Sequence, residues 1–214
     1  MASRGRPARI TREQIVAAAV EVGIDDLRMA DVARALDVSP GALYHHVPGR
    51  DELLELVAAH VLEETAYDQW APAADAPWQD WLRAYAVAFR ASLLANPGLL
   101  RYVRLSTAAT AGRLEQIDRL VAVLRAAGFA LADISHAVQH VNLLVCGEAW
   151  ERAVAGDGAD PQLAEFDTAV AARANELTNL VPLASPSARP DPDEHFAFAL
   201  DCLITGMAAR LPAR

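Results

Sequence analysis

The side chains with most to offer chemically crowd into one stretch, Ser39-Pro40-Gly41-Ala42-Leu43-Tyr44-His45-His46-Val47-Pro48-Gly49-Arg50. If Leu43 and Val47 turn inward on a short helix, the helical step of about 100° puts Gly41 and His45 opposite them. Ala42, Tyr44 and His46 then lie on the flanks. Such a face is small near its start and aromatic and hydrogen-bonding beyond. Small residues let backbone approach base edges in a major groove, and phenol, imidazole and guanidinium groups reach bases or phosphates. Nucleic-acid recognition is the chemistry this face offers; an ordinary surface hairpin of helices is the alternative.

A second set of residues could hold a small molecule. Trp81, Tyr85 and Phe89 stand at i, i+4 and i+8 of one predicted helix. They make either plain core or an aromatic wall with the Tyr85 hydroxyl as its polar handle. His136, Gln139, His140 and Asn142 stand on a long, otherwise apolar helix. His136 and His140 have the spacing of a metal-ligating pair, but no local carboxylate completes a set. Hydrogen bonding in a pocket or at a subunit interface is expected there, with no metal and no cofactor. Glu148, Trp150, Glu151 and Arg152 are expected at the solvated or interface end of that helix. The sequence contains no Gly-x-Ser-x-Gly, phosphate loop, His-Glu-x-x-His or Cys-x-x-Cys, so an enzyme is not expected.

The elements that must position these groups are helical throughout. Thr11 and Gln14 form a capping box, Ile10 and Ile15 a hydrophobic staple, and Gly23 ends the first helix. Met29, Val32, Ala33 and Leu36 give the second helix one apolar stripe. Ser39 is an N-cap and Pro40 a first helical residue, which predicts a third helix from Pro40 to about Val47. Arg50 opens a fourth helix to about Glu64, with Leu53, Leu54, Val57, His60, Val61 and Glu64 inward. After the loop Ala71–Pro77, helices are predicted at about Trp78–Ala95, Pro97–Leu105, Thr110–Ala127, Ala132–Val154, Pro161–Leu180 and Pro192–Leu211. The fold class is all-α, with about nine to ten helices in total.

Composition bounds the rest. The 214 residues, 53% hydrophobic and 22% charged, can bury a substantial core. The net charge of −9 argues against a nucleic-acid partner until its distribution is read. Residues 1–50 carry seven Arg against six acidic residues, and residues 51–214 carry twelve Arg against 22. An acidic body with a locally basic end engages DNA at that end. Arg4, Arg6, Arg9 and Arg12 precede the first acidic residue. Arg4-Gly5-Arg6-Pro7 has the make-up of a minor-groove hook, with a disordered tail as the alternative. No apolar run has the length of a membrane span and no signal peptide is evident, which predicts a cytoplasmic protein with no membrane partner. Cys146 and Cys202 fit reduced buried thiols, and a disulfide stays open.

Several of these runs share one resemblance. Glu21-Val22-Gly23-Ile24, Leu36 to Val47 with its Leu-Tyr-x-His-Val pattern before a basic residue, and Asp51-Glu52-Leu53-Leu54 resemble the DNA-binding domain of the tetracycline-repressor (TetR) family. Trp78-Gln79-Asp80-Trp81-Leu82-Arg83, Gly128-Phe129 and Phe198-Ala199-Leu200 are similar to the ligand-binding part of its tetracycline-repressor branch.

The resemblance implies a homodimeric, ligand-responsive repressor that binds double-stranded DNA at an inverted repeat and is released by a small-molecule effector, expected from the lining to be hydrophobic or aromatic. A helical adaptor or enzyme on the same scaffold, without operator binding, is the alternative. Residues 1–50 would form the arm and helix-turn-helix domain, and residues 51–214 the ligand-binding and dimerisation domain. Tyr44, His46 and Arg50 would anchor phosphates; Gly41, Ala42 and His45 would lie nearest the bases, helped by Arg28, with Ser39 and Pro40 at the helix start. His60, Trp81, Tyr85, Phe89, Tyr102, His136, Gln139 and His140 would bind the ligand. Ala132–Val154 and Pro192–Leu211 would pair with the same helices of a second subunit, offering Val138, Val141, Leu144, Val145, Phe198, Leu200, Leu203 and Ile204. Leu99 to Leu105 lacks the histidine that holds a metal–drug complex in tetracycline-binding members, so magnesium–tetracycline is not implied. Ala30 stands where tetracycline repressors carry a base-reading side chain, so their operator is not implied either.

Overall fold

The computed structural model describes residues 10–24, 27–63, 70–103, 111–155, 161–185 and 188–211. Its regular structure in those residues is helical, without strands. The helices are α1 (Arg12–Val22), α2 (Met29–Ala35), α3 (Pro40–Tyr44), α4 (Arg50–Glu63), α5 (Trp78–Ala95), α6 (Ala111–Ala126), α7 (Leu131–Ala155), α8 (Pro161–Ala172) and α9 (Pro192–Ala208), with a 3₁₀ turn at Pro97–Tyr102. They fall into two compact units. One takes the described residues of Met1–Ala66 and Gly98–Gln116, the other those of Tyr67–Pro97 and Ile117–Arg214.

In the first unit, local chemistry sets the start of α1, the end of α2 and the start of α3. Thr11 Oγ1 accepts from Gln14 N at 3.3 Å and Gln14 Oε1 accepts from Thr11 N at 2.9 Å, the reciprocal capping box. At the end of α2, Asp37 adopts φ 53°, a left-handed conformation that Asp tolerates better than most residues. Its N–H donates to the Arg34 carbonyl at 3.2 Å, and Val38 N donates to the Ala33 carbonyl at 3.0 Å. These two bonds form a Schellman motif, and they turn the chain into α3. Ser39 Oγ then accepts from Ala42 N at 3.3 Å.

Helix α3 is shorter than the expected Pro40–Val47. It ends at Tyr44, and the amides of His46 and Val47 both donate to the Leu43 carbonyl, at 2.8 and 2.9 Å. Pro48 is the physical reason, since a residue before proline is pushed out of the helical region. Leu43 and Val47 are nonetheless fully buried, in a core with Ile15, Ala19, Leu27, Val32, Leu53, Leu54 and Val57. Leu99 belongs to this same core, with Tyr102 and Val103 packed against it. The predicted helix at Pro97–Leu105 is the 3₁₀ turn instead, ending at Tyr102.

In the second unit, α5, α7 and α9 pack on one another. Trp81, Leu82, Tyr85, Ala86 and Phe89 of α5 are buried, as are Val141, Val145 and Ala149 of α7 and Phe196, Leu200 and Ile204 of α9. Gly128 closes α6 at φ 102°, with Phe129 N donating to the Leu124 carbonyl at 3.2 Å, a second Schellman end. It delivers the Phe129 ring edge-on to Trp78, with centroids 4.9 Å apart. Charges tie the same helices. Arg90 Nε donates to Glu148 Oε2 at 2.6 Å and Arg90 Nη2 to Asp193 Oδ1 at 2.7 Å, while the guanidinium carbon lies 4.7 Å from the Phe196 ring centroid. Glu148 is therefore a half-buried partner of Arg90, not part of a solvated helix end. α8 stops at Ala172, short of the predicted Leu180, and the chain continues in turns.

Candidate functional site

Three structural facts shape the outward side of α3. Its start is open: Ser39, Pro40 and Gly41 are exposed and Ala42 is half-buried. Its end is aromatic: the Tyr44 side chain is 51% exposed, His45 is exposed and His46 half-buried. Arg28, the N-cap of α2, is also exposed, and its side chain makes no cap bond. A Cβ added at Gly41 meets only Ser39 Oγ, at 3.9 Å, an ordinary contact. Among the described residues nothing crowds a side chain there, so the backbone at Gly41 is open to close approach from outside. Gly41→Val is expected to change stability by no more than about 0.5 kcal/mol. It should weaken operator binding about 10- to 100-fold, the cost of a misfitted base pair. Thermal unfolding and a binding titration check this together; a parallel fall in both makes the glycine structural.

Two arginines hold this region from behind. Arg50 is half-buried; its Nε donates to the Leu27 carbonyl at 2.7 Å and its Nη1 to the Tyr102 hydroxyl at 3.3 Å. Arg50 thus fixes the residue preceding Arg28, and two of its three nitrogens are engaged within the unit. Arg12, in the first turn of α1, donates from Nε and Nη2 to the carbonyl of His46, at 3.1 and 3.0 Å. Sequence inspection assigned Arg12 no role beyond its charge. Donor and acceptor stand 34 positions apart, which leaves no local signal. Arg4 and Arg6 lie outside the described residues.

The candidate ligand residues fall in both units. Tyr85 and Phe89 are neighbours, with ring centroids 6.2 Å apart, and Trp70 meets Tyr85 edge-on at 6.0 Å. The Tyr85 hydroxyl donates to Asn142 Oδ1 at 3.0 Å, both groups buried. Asn142 is the polar partner of the aromatic stripe. His136, Gln139 and His140 are exposed on α7, while the buried positions of that helix are Ile134, Ala137, Val141, Asn142, Val145 and Ala149. His140 Nδ1 lies 2.7 Å from the His136 carbonyl one turn back. His60 and Tyr102 belong to the first unit, both half-buried. Among the described residues no helix is long and apolar enough to cross a membrane.

Known proteins share this arrangement. The family described as "Bacterial regulatory proteins, tetR family" matches residues 13–57, and "Tetracyclin repressor-like, C-terminal domain" matches residues 71–211. The chain is 28% identical to tetracycline repressor protein class D of Escherichia coli, over 96% of this chain and 93% of that protein. A possible TetR family transcriptional regulator from Streptomyces coelicolor A3(2) has a similar structure, with TM-score 0.71 and 31% identity over 92% of this chain and 98% of that one. The S. coelicolor TetR family protein ActR, in complex with actinorhodin, matches with TM-score 0.74 and 27% identity over 94% and 98%. A capped helix-turn-helix at the start, followed by a domain of the tetracycline-repressor type over most of the remainder, places this chain in the tetR family of transcriptional regulators, which are not enzymes.

Proposed function

We propose that the chain is a cytoplasmic, homodimeric repressor that binds an inverted-repeat operator and leaves it when a small hydrophobic or aromatic effector binds. Residues 1–50 carry DNA recognition; residues 51–214 carry effector binding and dimerisation. The observation that carries the operator claim is the exposed α3 face, with an open glycine at its start and Tyr44, His45 and His46 at its end. In a two-fold dimer, two such faces meet successive major grooves about one helical turn apart.

The dimer claim draws on apolar side chains left exposed on α7 and α9. Leu143, Trp150 and Phe198 are 58%, 52% and 68% exposed. Exposed apolar side chains of this size on two helices that pack on each other suit a subunit interface better than open water. These are not quite the residues picked from the sequence, because Val141, Val145, Leu200 and Ile204 are core of the single unit. His136, Gln139 and His140 share the exposed side of α7 with Leu143 and Trp150, which supports interface hydrogen bonding over pocket lining. The effector site is assigned to the Trp81–Tyr85–Phe89 stripe with Asn142. An aromatic ligand with a hydrogen-bonding group competes there for the Tyr85–Asn142 bond. Coupling of about 1–3 kcal/mol between effector and operator gives about 5- to 150-fold weaker DNA binding.

An electrophoretic shift with DNA upstream of the chain's own gene, run beside light scattering, tests the core of this reading. A retarded band and a dimer mass at micromolar concentration are expected; a monomer with no band overturns it. The arm makes a separate prediction. Deleting Met1 to Pro7 removes Arg4 and Arg6 from each subunit. If all four reach DNA, the slope of log affinity against log salt flattens by about 0.9 per contact. An unchanged slope makes the arm a tail.

A further inference from the structure

We propose that Arg12 is a positioning residue for operator recognition: its guanidinium, anchored on α1, locks the turn that carries His45 and His46. The proposal rests on the operator-binding reading above. Helix α3 has five residues and so little internal hydrogen bonding to hold its direction. Its last carbonyls are the groups a helix end leaves without partners. The amides of His46 and Val47 already converge on the Leu43 carbonyl, and Pro48 has no N–H to offer. The His46 carbonyl is claimed instead by two prongs of Arg12, Nε at 3.1 Å and Nη2 at 3.0 Å. Arg12 Nη2 also lies 3.9 Å from Glu52 Oε1 on α4, so one guanidinium ties the starts of α1 and α4 to the end of α3.

The pair with Glu52 is solvent-exposed, with the Arg12 side chain at 54%, and exposed pairs contribute little to folding. What the fork supplies is geometry. Recognition side chains must be held to within about half an ångström to make their contacts, and a forked donor holds an acceptor in a way a single ammonium does not.

The test is operator affinity of the full chain, wild type against Arg12→Met and Arg12→Lys, measured across a salt series. Single-base variants of the site and thermal midpoints complete the set. The Met variant is expected to keep its midpoint, bind about 10- to 100-fold more weakly, discriminate less at the base next to His45, and retain the wild-type salt slope. The Lys variant, which keeps the charge and loses the fork, should behave like Met. A slope flattened by about 1.8 per dimer and restored by Lys makes Arg12 a phosphate ligand and overturns the proposal. Unchanged affinity in both variants overturns it as well, with operator binding itself intact. A wild-type chain that binds none of its upstream DNA overturns both readings together. Faster amide exchange at His46 and Val47 in the DNA-free Arg12→Met protein is the accompanying structural readout; no change there sinks the clamp whatever the DNA does.

Discussion

Arg90→Ala is expected to lower the stability of the second unit by about 3 kcal/mol, the low end for breaking a buried ion pair. Arg90 and Glu148 have side chains only 13% and 9% exposed, and the substitution strands the carboxylate. The estimate is at the low end because Arg152 Nη1 stays 4.0 Å from Glu148. Thermal midpoints should fall by about 6–12 °C. Pairing Arg90→Met with Glu148→Leu should recover most of the loss, since an apolar pair leaves no buried charge unmet. If Arg90→Ala alone costs nothing measurable in a denaturant titration, the pair is not held as described.

The same network has an acid limit. The Arg90 hydrogen bond, followed by that of Arg152, holds the Asp193 carboxyl below its ordinary value, and Glu148 and Asp193 push Arg90 higher still. A lowered carboxylate pKa contributes stability above the unfolded value and loses it as pH falls through the folded one. The wild type therefore loses this contribution as pH falls below the ordinary carboxylate range, and Asp193→Asn removes that part of the acid dependence.

Tyr44→Ala should weaken operator binding by about two to four orders of magnitude. On the proposed reading Tyr44 of each subunit bonds a phosphate; a hydrogen bond to a charged group is worth about 1.5–3 kcal/mol, and the proposed dimer would lose two. The loss should be equal for all variants of the site, because phosphate contacts carry no sequence information. His45→Ala should instead change the preference at one base position. Titrations against a set of single-base variants separate the two. A Tyr44→Ala protein that binds normally means the face of α3 is oriented differently on DNA.

What the sequence made legible is local chemistry. Thr11 with Gln14, and Ser39 with Ala42, act across three residues, and both caps form as their spacing predicts. Leu43 and Val47 are buried for the same reason of period. The early end of α3 was legible in principle, through Pro48. Arg12 with the His46 carbonyl, Tyr85 with Asn142 and Arg90 with Glu148 join residues 34, 57 and 58 positions apart, and no pattern in a single chain announces them. α7 defeated the choice of inward face because it is apolar nearly all round. Val141 and Leu143 read alike, yet one is core and the other 58% exposed.

The core that supports α3 is assembled from two separated stretches, since Leu99 is buried in it and Tyr102 receives the Arg50 hydrogen bond. Recognition in this chain is consequently not a cassette. A chimera that grafts residues 1–66 onto a relative's C-terminal domain imports a foreign side chain at position 99 and a foreign partner for Arg50. Swapping operator specificity cleanly between relatives therefore calls for transplanting 98–103 along with the helix-turn-helix, and a natural recombination event between the two stretches carries the same handicap.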